Sequence, residues 1–465
     1  CINQKLQSAA GSLTEQPADT FVRCTDRQMM EEEGVKENIS ASFDAMTKLK
    51  DRLTFARDVN RCREKGLQAH IVLIQPSQLL LVNRTYGVPV GDALIRSIAD
   101  YLRGLDENYQ AYRIANSRFM MIGPACTQEE AEAFACRIQK RFEESWYVSA
   151  KEKTCSIAAK AYLVHLLLSP EDSGEDRLID KMNYAVSLLS GKGSAGMLFF
   201  DSTLQQAMEH QEYVLEELRY AIEHKTFQMY YQPIYNCREK RFTSAESLIR
   251  LFGRDGAFIS PGEFIPMAED NGLIDDISWI VLEKVCGFLG AHPDLPLRTT
   301  SVNLTGQQIL DPAFIARIEG LLDTYKLDGN RLRIEITERT VTEDFPEVKR
   351  IMEHLEQRGI RFYLDDFGTG YSNLSSMLSL PFEVIKFDQS LIRVMDSTPQ
   401  GQKTIGLLAE IMHEHRYVIV AEGIETEVQA LLAREKELDR IQGYFYAKPL
   451  PEDALLAFLQ NRDHS

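Results

Sequence analysis

From residue 228 onward, short apolar runs alternate with amphipathic stretches. Eight runs read as strands: Gln228–Ile234, Ser244–Ile249, Thr299–Leu304, Arg331–Ile336, Ile360–Leu364, Val384–Phe387, Tyr417–Ala421 and Ile441–Phe445. Between most of them the apolar spacing becomes helical. Val348, Ile351, Met352 and Leu355 fall at i, i+3, i+4 and i+7 and stop at Gly359, and Ile405, Leu408, Ala409 and Met412 repeat the pattern. Eight strands with intervening helices over about 240 residues predict an α/β fold of the TIM type, a (β/α)8 barrel. The link from Ile234 to Ser244 is too short for a crossover helix, so the first two strands are expected to be antiparallel.

The first half follows a different pattern. Residues 1–48 are polar, with an acidic run Glu31–Glu33, and read as a leader or helical stalk. Residues 49–200 mix strands (His70–Ile74, Tyr112–Ala115, Phe119–Ile122) with helices such as Gly91–Leu102, whose Leu94, Ile98 and Leu102 share a face. This predicts an α+β domain, joined by a helical linker at 201–225 to a second domain at 226–465. Gly191 to Gly196 fits Gly-x-Gly-x-x-Gly, but it follows a helix and precedes a strand, the reverse of a dinucleotide-binding turn.

Composition narrows the function. A net charge of −17 argues against binding a nucleic acid polymer, since nothing offsets repulsion from phosphates over a broad surface. Eight cysteines include no Cys-x-x-Cys, which points to reduced thiols in a cytoplasmic protein. His413 and His415, two apart on a helix, face different ways and are not read as a ligand pair. No apolar run reaches the roughly 18 residues that span a bilayer. The chain starts at Cys1, which leaves room for an upstream sensor or membrane tether.

The chemistry concentrates at the strand ends, where TIM-type barrels place their sites. In chain order the barrel strands carry Glu246 with Arg250, Asn303, Glu335 with Glu338, Asp365-Asp366, Lys386 with Asp388, Glu422 with Glu425, and Gln442. Adjacent residues of a strand point to opposite faces, so Asp365 and Asp366 converge only if the strand ends there and the Gly368/Gly370 turn folds the second acid back. An all-oxygen donor set suits Mg²⁺ or Mn²⁺ rather than a structural zinc. Five or six carboxylates exceed what one hexacoordinate ion uses, so two ions are expected, an arrangement suited to in-line attack on a phosphodiester. In this reading Lys386 orients or helps deprotonate the attacking water and Arg250 clamps a phosphate oxygen.

These residues sit in segments that resemble the EAL domain, the cyclic di-GMP phosphodiesterase family: Tyr231-Gln-Pro-Ile, Ala245-Glu-Ser-Leu-Ile-Arg250, Phe264 to Glu269, Val302-Asn-Leu304, Glu335-Ile-Thr-Glu338, Asp365 to Ser372, Lys386-Phe-Asp388, Ala421 to Thr426 and Gln442-Gly-Tyr444. The signature reads Glu246-Ser-Leu in place of Glu-Ala-Leu. The resemblance implies metal ligands at Glu246, Asn303, Glu335, Asp365 and Asp366, and action at the water and metal centre by Lys386 and Glu422. It further implies that Gln442 orients the water, that Glu425 is a supporting acid, that Glu338 anchors the Asp-Asp loop, and that Arg250 contacts the substrate. It implies hydrolysis of cyclic di-GMP to linear pGpG and a homodimer. The alternative is a receptor that binds cyclic di-GMP without turnover.

The first domain resembles a GGDEF (diguanylate cyclase) domain through Asn83-Arg-Thr-Tyr-Gly87 and Gly91-Asp92, the positions that read guanine in that family, so GTP is a candidate ligand of Asn83 and Asp92. Its signature hairpin reads Ala115-Asn-Ser-Arg-Phe119, with Ser117 or Arg118 at the catalytic acid position. Gln75 and Ser77 stand where that family holds metal-binding aspartates, and Asp106-Glu-Asn-Tyr109 stands at its allosteric motif. Without those carboxylates the domain is expected to be a degenerate, regulatory one with no cyclase activity.

Overall fold

A computed structural model describes residues 42–150, 153–168, 175–191, 195–337, 340, 344–369 and 379–462. The leader up to residue 41, the turn at 192–194, Glu338 and Gly370 to Ser372 lie outside the described residues. The chain divides into two compact units at His210/Gln211.

In the first unit, strands β1 (Lys50–Asp51), β2 (Ala69–Pro76), β3 (Gln110–Ala115), β4 (Arg118–Pro124), β7 (Ala161–Leu168) and β8 (Met197–Phe199) form one sheet in the order β1-β3-β4-β2-β7-β8. A separate hairpin, β5 (Ser145–Ala150) with β6 (Lys153–Ala158), lies outside it. β2 is the central strand, buried on both faces as its unbroken apolar run requires. Ile98 and Leu102 of the helix Val88–Leu105 pack on one side with Val72 and Phe119, while Ile71 and Leu73 face Phe55 and Met182 on the other. The α+β expectation therefore holds.

The second unit closes a barrel. β9 (Gln228–Asn236), β10 (Arg241–Phe252), β12 (Thr299–Asn303), β13 (Leu332–Thr337), β14 (Arg361–Phe367), β15 (Phe382–Phe387), β16 (Val418–Ala421) and β17 (Arg440–Ile441) pair in that order, and β17 returns to β9. Two short strands, β11 (Phe258–Ile259) and β18 (Leu450–Pro451), attach to β10 and β9. β9 and β10 are antiparallel, as the short connection dictates, while β10 through β17 run parallel. Buried Ile334, Phe362, Ile385 and Ile419 face the surrounding helices, which supply Ile318, Val348, Leu355 and Ile405.

Two local expectations are corrected. The eighth strand stops at Ile441 rather than Phe445, because the chain turns at Gly443, whose Cα lies so close to Ile424 that a side chain there would overlap the Ile424 carbonyl oxygen. The Asp-Asp pair does not mark a strand end. β14 continues to Phe367, and its register against β15 shifts between Leu364 and Phe367. This bulge holds Asp366 in the left-handed region at φ 55°, which an aspartate tolerates better than most residues. The bulge, rather than the glycine turn, re-aims the second acid.

Candidate active site

The parallel strands place their C-terminal ends at one mouth, and the residues anticipated there converge. Lys386 on β15 is buried at 1% exposure, and its Nζ lies 2.7 Å from Glu335, 2.7 Å from Glu422, 3.0 Å from Asp365 and 3.3 Å from Glu246. Strand alternation explains the selection. Glu246, Glu335, Asp365 and Lys386 stand on inward-facing positions, while Ala245, Ile334, Leu364 and Ile385 face the helices.

Two of the acids, Glu246 and Asp365, are held from behind. Asn303 Nδ2 donates to Glu246 Oε1 at 2.7 Å, and Gln442 Nε2 donates to Glu246 Oε2 at 2.6 Å and to Gln232 Oε1 at 3.1 Å. Gln232 in turn donates to the Ala447 carbonyl. The Asp366 amide donates to Asp365 Oδ1 at 3.0 Å. Gln232 lies in the Tyr231-Gln-Pro-Ile motif, and its support of Gln442 depends on β9 standing beside the segment after β17, which no sequence pattern shows.

One ammonium shared by several carboxylates leaves negative charge uncompensated. Burial pushes the Glu335 carboxyl well above the usual carboxylate range, with Glu246 and Asp365 adding repulsion that Lys386 only partly cancels. Burial likewise raises Glu422, to about 8. Asp366 is raised by burial and by the Asp365 charge. For Glu246, burial is outweighed by Lys386 and by the Gln442 and Asn303 hydrogen bonds, so its carboxyl falls below the usual value. Burial disfavours the Lys386 ammonium, yet the acids around it reverse the balance and hold it protonated.

Oxygen atoms of Glu246, Glu335 and Asp365 lie within 4.8 Å of one another, as do those of Asp365, Asp366 and Glu422, so Asp365 belongs to both groups. Each group could hold a metal ion. The donor chemistry fits, because Glu335 Oε1 is buried without a hydrogen-bond partner among the described residues, an arrangement that is costly unless a cation takes the lone pair.

Beside this cluster opens a cavity of about 340 Å³, lined by Glu422, Gln442, Glu425, Asp388, Gln389 and Tyr444 among others. Glu425 stands at its exposed rim and accepts from Gln389 Nε2 at 3.5 Å, outside the ring of carboxylates around Lys386. Arg250, near the end of β10, is half-buried with its guanidinium 5.4 Å from the Tyr230 ring. Glu338 lies outside the described residues.

In the first unit, Arg118 opens β4 and donates through Nε to Gln75 Oε1 at 2.6 Å and through a terminal nitrogen to Asn183 Oδ1 at 2.7 Å. A guanidinium held by two amides thus occupies the hairpin position. Asn83 and Asp92 sit on successive helices, Leu79–Tyr86 and Val88–Leu105. Among the described residues Asn83 Oδ1 is buried without a hydrogen-bond partner, and it fills the space where a side chain at Gly91 would be.

A closed barrel with an acidic cluster at its mouth and an α+β unit before it defines the class, and sequence comparison gives the family. Residues 215–449 match the EAL domain, and residues 41–171 match the diguanylate cyclase, GGDEF domain; the chain belongs to the EAL domain family, with a GGDEF domain preceding the barrel. The signaling protein YkoW of Bacillus subtilis is 26% identical over 451 residues, 94% of this chain and 55% of YkoW. The bifunctional diguanylate cyclase/cyclic di-GMP phosphodiesterase MucR of Pseudomonas aeruginosa is 26% identical over 432 residues, 90% of this chain and 61% of MucR. The chain thus spans between 55% and 61% of the length of these two relatives. A solved structure described as the PaMucR phosphodiesterase in complex with c-di-GMP is 29% identical, with a TM-score of 0.50, over 52% of this chain and 99% of that one. No helix among the described residues is long and apolar enough to cross a membrane.

Proposed function

We propose that the barrel hydrolyses one 3′–5′ linkage of cyclic di-GMP to give linear pGpG. The observation that carries this is the pair of carboxylate groups sharing Asp365 around a buried lysine, in a chain of the EAL family. Glu246, Asn303, Glu335, Asp365 and Asp366 would hold two ions, Mg²⁺ or Mn²⁺. Charge arithmetic supports two: five carboxylates (Glu246, Glu335, Asp365, Asp366, Glu422) carry −5, against +4 from two divalent ions and +1 from Lys386. When bound, the ions supply a polarised water and neutralise charge on the phosphodiester.

The protein's own groups do the rest. Lys386 stays protonated and orients the water site by holding Glu335 and Glu422. This favours orientation over the deprotonating role that the sequence also allowed. Glu422, bonded to Lys386 and grouped with Asp365 and Asp366, acts at the water and metal centre, Gln442 orients Glu246 and the water, and Glu425 supports the rim. Arg250 clamps a phosphate oxygen of the substrate.

The first domain, within 49–200, is a regulatory GGDEF-like domain without cyclase activity, since the Arg118 guanidinium stands beside Gln75 where that chemistry needs carboxylates to hold Mg²⁺. GTP at Asn83 and Asp92 tunes the barrel from there. The working form is a cytoplasmic homodimer, tethered to the membrane if a preceding segment anchors it.

Purified protein with Mn²⁺ is expected to convert cyclic di-GMP to pGpG, and Glu246→Ala to lower kcat by at least about 10³-fold, because two hydrogen bonds and a ligand oxygen vanish together. Tight binding without turnover under both metals would instead make the protein a receptor. In the same assay added GTP shifts the rate, and Asp92→Ala abolishes that shift; an unresponsive wild type removes GTP from the scheme.

A further inference from the structure

β10 carries both Glu246 and Arg250, but its two neighbours do not extend equally far. The pairing with β12 ends at Glu246, and beyond it the strand is held by β9 and by its own return through β11. Arg250 therefore stands on a stretch that keeps only β9 of its two wall neighbours, three residues before the hairpin tip, which runs from Gly253 to Ala257. What fixes that tip is not the barrel but the helix Ser202–His224.

Glu217 on this helix is buried, its side chain 3% exposed, and among the described residues its carboxylate pairs with Arg254. The Arg254 backbone amide donates to Oε2 at 2.9 Å, and the guanidinium donates from Nε to Oε1 at 2.8 Å. One turn earlier, the Tyr213 hydroxyl donates to Asp255 Oδ1 at 3.0 Å, and the same oxygen accepts from the Ala257 amide at 2.9 Å. Gly253 lies so close to Tyr213 that any side chain there would overlap the hydroxyl. A buried carboxylate chelated by one residue's amide and guanidinium stabilises a single arrangement of that residue, because any other leaves the charge unpaired.

We propose that Glu217, with Arg254 and Tyr213, is a latch that positions Arg250 for the substrate phosphate. The latch adds no group to the reaction; it sets where the end of β10 stands relative to Glu246 and the acids grouped with it. It rests on the cyclic di-GMP reading for the identity of the phosphate that Arg250 meets. The latch also lies on the segment that joins the two units, since Met208 belongs to the core of the first and Val214 and Leu218 to that of the barrel.

Three readouts on the full chain test it: hydrogen exchange of residues 250–259, affinity for cyclic di-GMP in EDTA, and steady-state kinetics with Mn²⁺. In Glu217→Gln and Arg254→Ala, exchange of the hairpin amides should rise at least about 10-fold, with Kd and KM raised about 5-fold and kcat within about 2-fold. The double variant should be no worse than either single one, because the two side chains act as a unit. Tyr213→Phe should move the same quantities less. Arg254, whose side chain is 54% exposed, carries the test if Glu217→Gln fails to fold. Faster exchange with unchanged affinity, or affinity and kcat falling together, overturns the positioning role. Unchanged exchange in both variants overturns the latch itself. A wild type that neither binds nor cleaves cyclic di-GMP overturns the functional reading and the substrate half of this one, while the exchange data still decide the latch.

Discussion

Lys386 is tied to the fold through the buried acids that surround it. Its ammonium is the one cation within 3.3 Å of Glu246, Glu335, Asp365 and Glu422 among the described residues, and it sits at 1% exposure. Removing one partner of a buried ionic cluster typically costs about 3–5 kcal/mol, because the remaining charges stay buried and unpaired. Lys386→Met is therefore expected to lower the melting temperature of the barrel in EDTA by several degrees. Mn²⁺ should return most of that loss, since an ion supplies the missing positive charge. Thermal denaturation with and without metal decides it. A Lys386→Met barrel as stable as wild type in EDTA would mean that the ammonium is not what balances the buried acids.

Gly443 governs the element beside that cluster. The backbone amide of Ile424 donates to the Gln442 carbonyl, that of Phe445 donates to the Ile424 carbonyl, and the space between has no room for a side chain at 443. Gly443→Ala must push the two segments apart and drag Gln442 off Glu246 and Gln232. We expect a kcat loss of at least about 10-fold with a melting shift of only a few degrees, consistent with a local overlap costing about 1–3 kcal/mol. Unchanged kcat would show that Gln442 does not need that turn.

The same place marks where the sequence stops being legible. Parallel strands buried on both faces read as apolar runs, so seven of the eight barrel strands and the antiparallel first pair were visible from pattern alone. The aromatic residues Tyr444 and Phe445 carry strand propensity, however, and masked a turn imposed by a backbone contact with Ile424, far away in sequence. The bulge at Asp365-Asp366 was hidden likewise, since register against β15 is a property of two strands. The acids, Asn303, Lys386 and Gln442 were legible as residues at strand ends. The support from Gln232 and the latch at Glu217 were not, because a buried helix glutamate looks like any surface one until its partner is seen.

At the scale of the whole molecule, the two units carry buried groups that respond to pH in opposite senses. In the first unit His70 and His165 are both buried with ring centroids 5.6 Å apart; His70 Nδ1 meets the Tyr109 hydroxyl at 2.6 Å, and both His165 nitrogens lack a hydrogen-bond partner among the described residues. Burial, with the neighbouring His165, pulls the His70 value down to about 3, and burial pulls His165 to about 4 despite the Glu132 charge. The unfolded chain takes up these protons near pH 6.5 and the folded unit does not, so its stability is full above that pH and falls on acidification by roughly 1 kcal/mol per pH unit for each ring. In the metal-free barrel the sign reverses. Glu422, raised to about 8, and Glu335, also raised, bind protons in the folded state that the unfolded chain has released above about pH 4.5, so stability falls as pH rises through that window. Calorimetry in EDTA between pH 5 and 7.5 should therefore resolve one transition that weakens toward acid and one that strengthens. His70→Phe with His165→Leu should flatten the first, and Mn²⁺ should flatten or invert the second by favouring ionised carboxylates. Two transitions moving together with pH, or a first transition unmoved by the double substitution, would rule out these groups as the cause.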